Sequence, residues 1–409
     1  MKWTDRLAGY RRGRVPRHRP PGRVRRRVLG AGTAIVAVAV IAAVAPAASA
    51  GTTRAAARPG FRAALERIVD DGVPGVIGLV RRGDKVVAAA SGAADLAAGR
   101  PMAVGDRVRA GSITKTMVAT VVLQLAAEHR LHLGDSVARW LPGLVPGGQA
   151  ITVRELLQHT SGIYNFTDDP GFLKAVEADP ARVWQPRALI RIAVAHPPLF
   201  PPGAAFAYSN TEYLLLGLVI ERASGHTLTG ELRDRIFAPL RMRHTTLPFT
   251  QVTPPAPYAH GYLLHQPGAS GPLDVTQVSP SWAWAAGGVV STAGDLARFY
   301  TALLSGHLLP PPLLHQMLTA VPIPTAPGSR YGLGIFSVRT PCGTAWGHNG
   351  DFPGYYSNAF TTRGGGRQAI VLVNADVSTL TARQNADVGA AVIAGLCGRP
   401  ASAQIQLSR

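Results

Sequence analysis

Residues 113–127 constrain the fold more than any other stretch of the chain. Apolar residues at 113, 117, 118, 121, 122 and 125 follow a helical period but fall on more than one face. A helix that is apolar on several sides must be covered on several sides, so the segment Ile113 to Ala127 predicts a buried central helix. Ser112 and Lys115 stand at its start, spaced so that a hydroxyl and an amine share one face of the first turn. Only four of the 42 basic side chains are lysines. Arg keeps its proton in a protein, whereas a desolvated Lys can lose it and act as a base. A serine ahead of a helix is in itself an ordinary N-cap. A lysine in the first turn opposes the helix dipole, which the cap reading does not explain.

The remaining pattern is mixed. Phe61–Asp70 has an amphipathic helical period, and Val76–Val80 and Val86–Ala90 flank a hairpin signal at 81–84. Helical patterns recur near Val153–Gln158, Pro186–Ala195, Glu212–Ala223, Glu231–Ala238, Ala293–Ser305 and Pro312–Ala320. After Tyr331 the segments Tyr331–Val338, Tyr356–Thr362 and Gln368–Val373 read as strands, and Ala386–Leu396 as a closing helix. This order predicts an α/β domain of the α+β type over residues 60–400. An antiparallel sheet from the N- and C-terminal segments is flanked by helices, with an all-helical region over roughly residues 118–275.

The chain has 409 residues, 46% of them hydrophobic, enough for a large core. Its net charge of +19 divides unevenly, because residues 1–50 carry eleven Lys/Arg against Asp5 alone. The basic run Arg11–Arg27 leads directly into an apolar stretch, and Ala48-Ser49-Ala50 supplies the small residues of a cleavage site. Residues 1–50 are therefore expected to be a signal peptide or N-terminal anchor, with 51–59 as a linker. A membrane contact is expected only if residues 28–47 are retained as an anchor, and the domain is placed outside the cytoplasm. Basic residues beyond position 50 are scattered, which excludes a nucleic-acid stripe. Two cysteines, Cys342 and Cys397, pair most simply as a disulfide in an oxidising compartment; two buried thiols are the alternative.

Two further motifs follow Ser-x-x-Lys. Tyr208-Ser209-Asn210 supplies a phenol that can relay a proton and an amide that can orient Lys115 and a substrate amide. The same tripeptide recurs as Tyr356-Ser357-Asn358, but there it lies in a predicted strand and follows the third motif. That motif is His348-Asn349-Gly350 ahead of Asp351, where a cationic or hydrogen-bonding side chain could polarise the catalytic face and a glycine admits close approach to strand backbone. Glu128, His129 and His132 lack a further ligand and read as a helix terminus, not a metal site. No Gly-x-Ser-x-Gly elbow occurs.

In this order, and with Leu156–Gly162, Gly287–Thr292 and Gly347–Gly354 between and around them, the three motifs resemble the serine DD-peptidases and class C β-lactamases, the penicillin-recognising serine hydrolases. The resemblance spans about residues 57–400. It implies Ser112 as the acylated nucleophile, Lys115 as its base, Tyr208 as proton relay and Asn210 as holder of the substrate amide. It further implies an oxyanion hole from the backbone N–H groups of Ser112 and Asp351, with no metal and no cofactor. Which of Lys115 and Tyr208 is the base stays open at this point.

His348, where β-lactamase members usually carry Lys, resembles a D-alanyl-D-alanine carboxypeptidase subgroup, and the Cys342 and Cys397 positions resemble a secreted DD-peptidase pattern that supports the disulfide. The expected substrate is a D-Ala-terminated peptide or another small acyl compound, with β-lactams as acylating ligands. Asn349 and Asp351 depart from the pattern, because an acid at 351 facing the cleft would repel a terminal carboxylate unless Arg339 compensated. An esterase, D-aminopeptidase or β-lactamase, or a slowly acylating penicillin sensor, are the alternatives on the same machinery.

Overall fold

The computed structural model describes residues 59–266 and 270–398. The expected leader at 1–50 and all but the last residue of the 51–59 linker lie outside the described residues.

The two ends of the chain build one antiparallel sheet of nine strands. Its order across the sheet is Arg100–Pro101, Lys85–Asp95, Gly75–Arg82, Arg367–Val373, Tyr355–Thr362, Gly343–Phe352, Phe336–Thr340, Arg330–Tyr331 and Val321–Pro322. The seam between the chain ends is the register Val76 opposite Val373 through Arg82 opposite Arg367. On one face lie the helices Pro59–Asp70 and Ala382–Cys397, which bury Phe61, Leu65, Ile68, Val388 and Val392 against Val76, Val371 and Phe360. On the other lies the helix Ile113–Ala127, with twelve buried residues that include Thr114, Lys115 and Thr116. It is central, as its apolar pattern requires. Around it pack the helices Asn210–Ser224 and Ala293–Leu304. Between Val108 and Met317 the described chain adds helices, loops and two-residue strands only.

Three expectations are corrected. Tyr331–Val338 is not one strand but two, because the N–H groups of Leu333 and Gly334 turn to Met317 O and Leu157 O instead of a neighbouring strand. The helices expected from 231 and 386 begin earlier, at Leu228 and Ala382, since Thr227 and Thr381 cap them by accepting from the N–H of Gly230 and Gln384. Beyond Leu232 the first of these widens into a π-turn, Arg233–Phe237. The strand Gly343–Phe352, which holds the third motif, falls outside the segments expected as strands.

Candidate active site

The central helix meets the sheet at its own N-terminus. Gly111 has φ of +55°, and the chain there runs against the backbone of Asp351, so that a Cβ at 111 would lie 2.6 Å from Asp351 N and O. From the other side, a Cβ at Gly350 would meet Ala110 O at 1.9 Å and Ser112 N at 3.0 Å. The backbone at 350–351 and the backbone at 110–112 are thus in direct contact, the arrangement an oxyanion site built from the Ser112 and Asp351 N–H groups needs.

Ser112 does not cap its helix; its side chain makes no capping bond. Its Oγ lies 3.0 Å from Lys115 Nζ and accepts from Tyr208 Oη at 2.7 Å. Lys115 is fully buried, and its Nζ also lies 2.7 Å from Asn210 Oδ1 and 2.8 Å from Ala286 O. Both of those oxygens only accept. A neutral amine gives them its two N–H bonds and keeps its lone pair for the third contact, the hydroxyl of Ser112. Burial pushes the Lys115 pKa well below 10.5, partly opposed by Glu212, so a neutral form is accessible. The Tyr208 phenol is pushed upward instead, first by burial in the protein. The surroundings thus favour the neutral form of each group, and of the two candidate bases Lys115 is the one whose deprotonated form burial favours.

Tyr208 lines the cleft with 37% of its surface open, and its hydroxyl is held on Ser112 Oγ. Its ring packs on His159, with centroids 4.3 Å apart, and Ala207 N–H donates to His159 O. Asn210 is fixed by Asn165 Oδ1, which accepts its backbone N–H, and by Thr167 Oγ1, 3.2 Å from its Nδ2. The second Tyr-Ser-Asn, at 356–358, is buried in its strand and lines no part of the cleft.

His348 is buried, and both ring nitrogens are engaged, Nε2 with Tyr331 Oη at 3.0 Å and Nδ1 with Asn349 O. Burial, with Lys115 adding to it, lowers its pKa to about 3. Of the two roles expected for this side chain, hydrogen bonding is therefore the one available near neutral pH. Cys342 and Cys397 are joined as a disulfide. Glu128 pairs with Arg235, and among the described residues no cluster of three or more His, Cys, Asp or Glu could hold a metal ion.

Sequence reasoning missed the supports. His159, inside the phrase 156–162, sits in the left-handed region (φ 58°) that ends the helix Val153–Gln158 and contacts Tyr208, Tyr213 and Tyr331. Glu212, two residues after Asn210, is fully buried against His159 and Ser161. A carboxylate opening the apolar run Tyr213–Ile220 was the available signal. Trp282 and Trp284 separate: Trp282 lines the cleft and stacks on Phe352 at 5.2 Å, while Trp284 is buried core against Gly217.

The cleft above Ser112 has a volume of about 530 Å³. One wall is aromatic, with Phe166, Phe172, Trp282 and Phe352. Among the described residues lining it are four acids, Asp168, Glu177, Asp351 and Asp376, and no Lys or Arg. Arg339, the expected compensating charge, is exposed at the far end of its strand and does not line the cleft. Asp351 opens to the cleft, whereas Asp376 is buried, accepting from Ser378 N–H and Oγ–H. Confinement by the protein pushes both carboxyls above the usual range, and for Asp351 the neighbouring Asp376 charge adds to it.

This fold and constellation define the penicillin-recognising class of proteins, with a sheet from both chain ends, a helical region and a Ser-x-x-Lys helix between them. The chain belongs to the family described as Beta-lactamase, whose profile matches residues 61–393. It is similar to the crystal structure of a D-stereospecific amidohydrolase from Streptomyces sp., with 40% identity, a TM-score of 0.76 and coverage of 83% of this chain and 98% of that one. A D-amino acid amidase from Ochrobactrum anthropi aligns at 27% identity and a TM-score of 0.73, over 82% and 97% of the two chains. Penicillin-binding protein 4 of Amycolatopsis lactamdurans is 29% identical over 316 residues, 71% of this chain and 78% of that protein. The chain spans about three fifths of the length (61% and 60%) of two Bacillus subtilis penicillin-binding relatives.

Proposed function

We propose that this protein is a serine hydrolase that cleaves amides bearing a free ammonium beside the scissile carbonyl, a D-amino-acid amide or the N-terminal D-residue of a peptide. The carrying observation is the cleft lining of four acids without a Lys or Arg. A carboxypeptidase must hold a terminal carboxylate, and this cleft offers that group no Lys or Arg, only carboxyls that repel it wherever they are ionised. An ammonium meets the opposite situation, with the aromatic wall left for the side chain. The D-configuration is taken from the names of the two structural relatives, an amidohydrolase and an amidase.

In this reading Ser112 gives its proton to neutral Lys115 as Oγ attacks the carbonyl carbon, and the Ser112 and Asp351 N–H groups receive the developing oxyanion. Tyr208 protonates the departing amine and is reprotonated from Lys115. Water then attacks the acyl carbon, its proton passes by way of Tyr208 and Lys115 to Ser112 Oγ as the acyl–Oγ bond breaks, and the carboxylic acid product leaves. Asn210 orients both Lys115 and the substrate amide. Export through residues 1–50 is part of the reading, supported by their basic-then-apolar order and by the disulfide; N-terminal sequencing of the protein recovered outside the cell tests it.

The functional test compares turnover of a D-amino-acid amide, its N-acetylated form and a D-Ala-D-Ala tripeptide, with intact-mass detection of a Ser112 adduct. Turnover of the free amide that drops on N-acetylation is expected. Preference for the tripeptide, together with a benzylpenicillin adduct on Ser112, would restore the D-alanyl-D-alanine carboxypeptidase reading.

A further inference from the structure

Behind Lys115 lies a chain of buried hydrogen bonds that the acyl-transfer steps do not use. It runs from Glu212 Oε2 to His159 Nδ1, from His159 Nε2 to Tyr331 Oη (3.2 Å), from Tyr331 Oη to His348 Nε2 (3.0 Å), and from His348 Nδ1 to Asn349 O. Glu212, His159, Tyr331 and His348 are each at most 2% exposed. One end of the chain is fixed by a backbone group whose role cannot reverse. Asn349 O only accepts, so His348 Nδ1 carries a hydrogen. In a neutral ring Nε2 then accepts, and the Tyr331 hydroxyl donates to it. Tyr331 then has no hydrogen left for His159, so His159 Nε2 must donate to Tyr331 Oη, and in a neutral ring Nδ1 carries the lone pair, with Ser209 N–H a longer contact at 3.3 Å. His159 Nδ1 has a second neighbour, Glu212 Oε2. For that contact to be a hydrogen bond, the carboxyl must bring the hydrogen.

We infer that Glu212 is held as a carboxylic acid in the resting protein and acts as a positioning residue, the donor end of a directed chain that leaves Lys115 without an ionised counter-ion. The rest of its surroundings agree. Oε1 accepts from Ser161 Oγ–H and, at 3.3 Å, from Ser161 N–H, which fills the carbonyl side of a protonated carboxyl. Lys115 makes its three polar contacts elsewhere, to Ser112, Asn210 and Ala286. The charged and titratable groups that face Glu212 are Lys115 from the central helix, Glu155 from the helix Val153–Gln158, Tyr213 beside it, His159, and Tyr208 and Tyr331 across the cluster. Burial and the like charge of Glu155 favour the protonated acid, while Ser161 and Lys115 oppose it; the net displacement is well upward. His159 is displaced well downward by burial, then by Lys115 and His348, in keeping with a neutral ring. An ionised Glu212 would hold Lys115 as the ammonium, whereas a neutral one lets burial deprotonate it. The far end of the same chain pins the Asn349 carbonyl, next to the Gly350-Asp351 edge of the oxyanion site.

The inference rests on the reading of Lys115 as base, and its test is chosen to fail separately from that reading. Glu212→Gln copies a protonated carboxyl, with an N–H for His159 and a carbonyl for Ser161. Infrared difference spectra of wild type against Glu212→Gln at neutral pH are expected to show the carbonyl stretch of a protonated carboxyl only in the wild type. The acid limb of kcat/KM for Glu212→Gln is expected to superimpose on that of wild type. Absence of the band overturns the inference, as does a limb moved toward lower pH by about one unit or more, a tenfold change in the Lys115 equilibrium that loss of an anionic counter-ion would produce. Should Glu212→Gln fold poorly, Ser161→Ala removes one bond to Oε1 and must shift the same band. A carboxyl band insensitive to both substitutions overturns the proposal. Loss of Ser112 acylation in the wild type would instead defeat the functional reading and leave the infrared result standing.

Discussion

At the scale of single residues, the site turns on which groups hold protons. Lys115 can serve as base only when neutral, so the acylation rate is expected to fall as pH drops through its depressed pKa and to hold above it. Lys115→Arg preserves a cation that cannot be discharged. It should therefore lose acylation by about 100- to 10,000-fold, the usual worth of a positioned base, and raising the pH should not restore it. Rapid-quench acylation rates across pH check this; recovery of the Arg variant at high pH would show that the base is another group. Asp351 has a carboxyl pushed upward, and binding an ammonium needs it ionised. The KM for an amine substrate should therefore fall as pH rises through that range. Asp351→Asn should remove this dependence and lower kcat/KM for the free amine by about 10- to 100-fold, the worth of a charge-assisted hydrogen bond. The N-acetylated substrate should be little affected. Equal losses on both substrates would mean that residue 351 matters for its backbone alone.

At the scale of elements, the contact between the strand Gly343–Phe352 and the start of the helix Ile113–Ala127 is what makes these residues one site. Backbone meets backbone there, so no flexible side chain can yield to an added methyl group. Gly350→Ala is expected to separate the two strips of N–H groups and cut acylation by about 100-fold or more, as loss of an oxyanion donor does, with circular dichroism unchanged. A variant that acylates normally would place the oxyanion elsewhere. The helix was legible in the sequence with the boundaries it has in the structure, because its apolar period is carried by its own residues. The strand was not, since Gly343-Thr344-Ala345-Trp346-Gly347-His348-Asn349-Gly350 is poor in strand formers. It is held in the sheet by pairing on both sides, with Phe336–Thr340 and Tyr355–Thr362, which no local pattern records. Ser112, Lys115 and Tyr208, which meet at Ser112 Oγ, were named by motif, while His159, Glu212 and Tyr331 come together only through long-range folding.

At the scale of the whole molecule, the sheet is closed by strands from both chain ends, so residues that carry the chemistry depend on contacts far along the sequence. The disulfide adds a covalent tie to this arrangement. Cys342 stands in the turn just before the strand that carries His348, and Cys397 ends the helix Ala382–Cys397 on the opposite sheet face. The bond spans a sequence separation of 55, and a loop of that length restricts the unfolded chain by about 4 kcal/mol in the entropy picture. It lies at the turn end of the strand, whereas the contact with the central helix is made at Gly350, near the other end. Stability and catalysis should therefore separate. The Cys342→Ser, Cys397→Ser double variant is expected to unfold at lower denaturant, losing about 2–4 kcal/mol, while the folded fraction keeps its kcat/KM. Equilibrium denaturation alongside active-site titration measures both quantities on one preparation. Activity lost without a matching loss of stability would mean that the bond sets the register of the His348 strand, and that the oxyanion edge is held from outside the cleft as well as from within it.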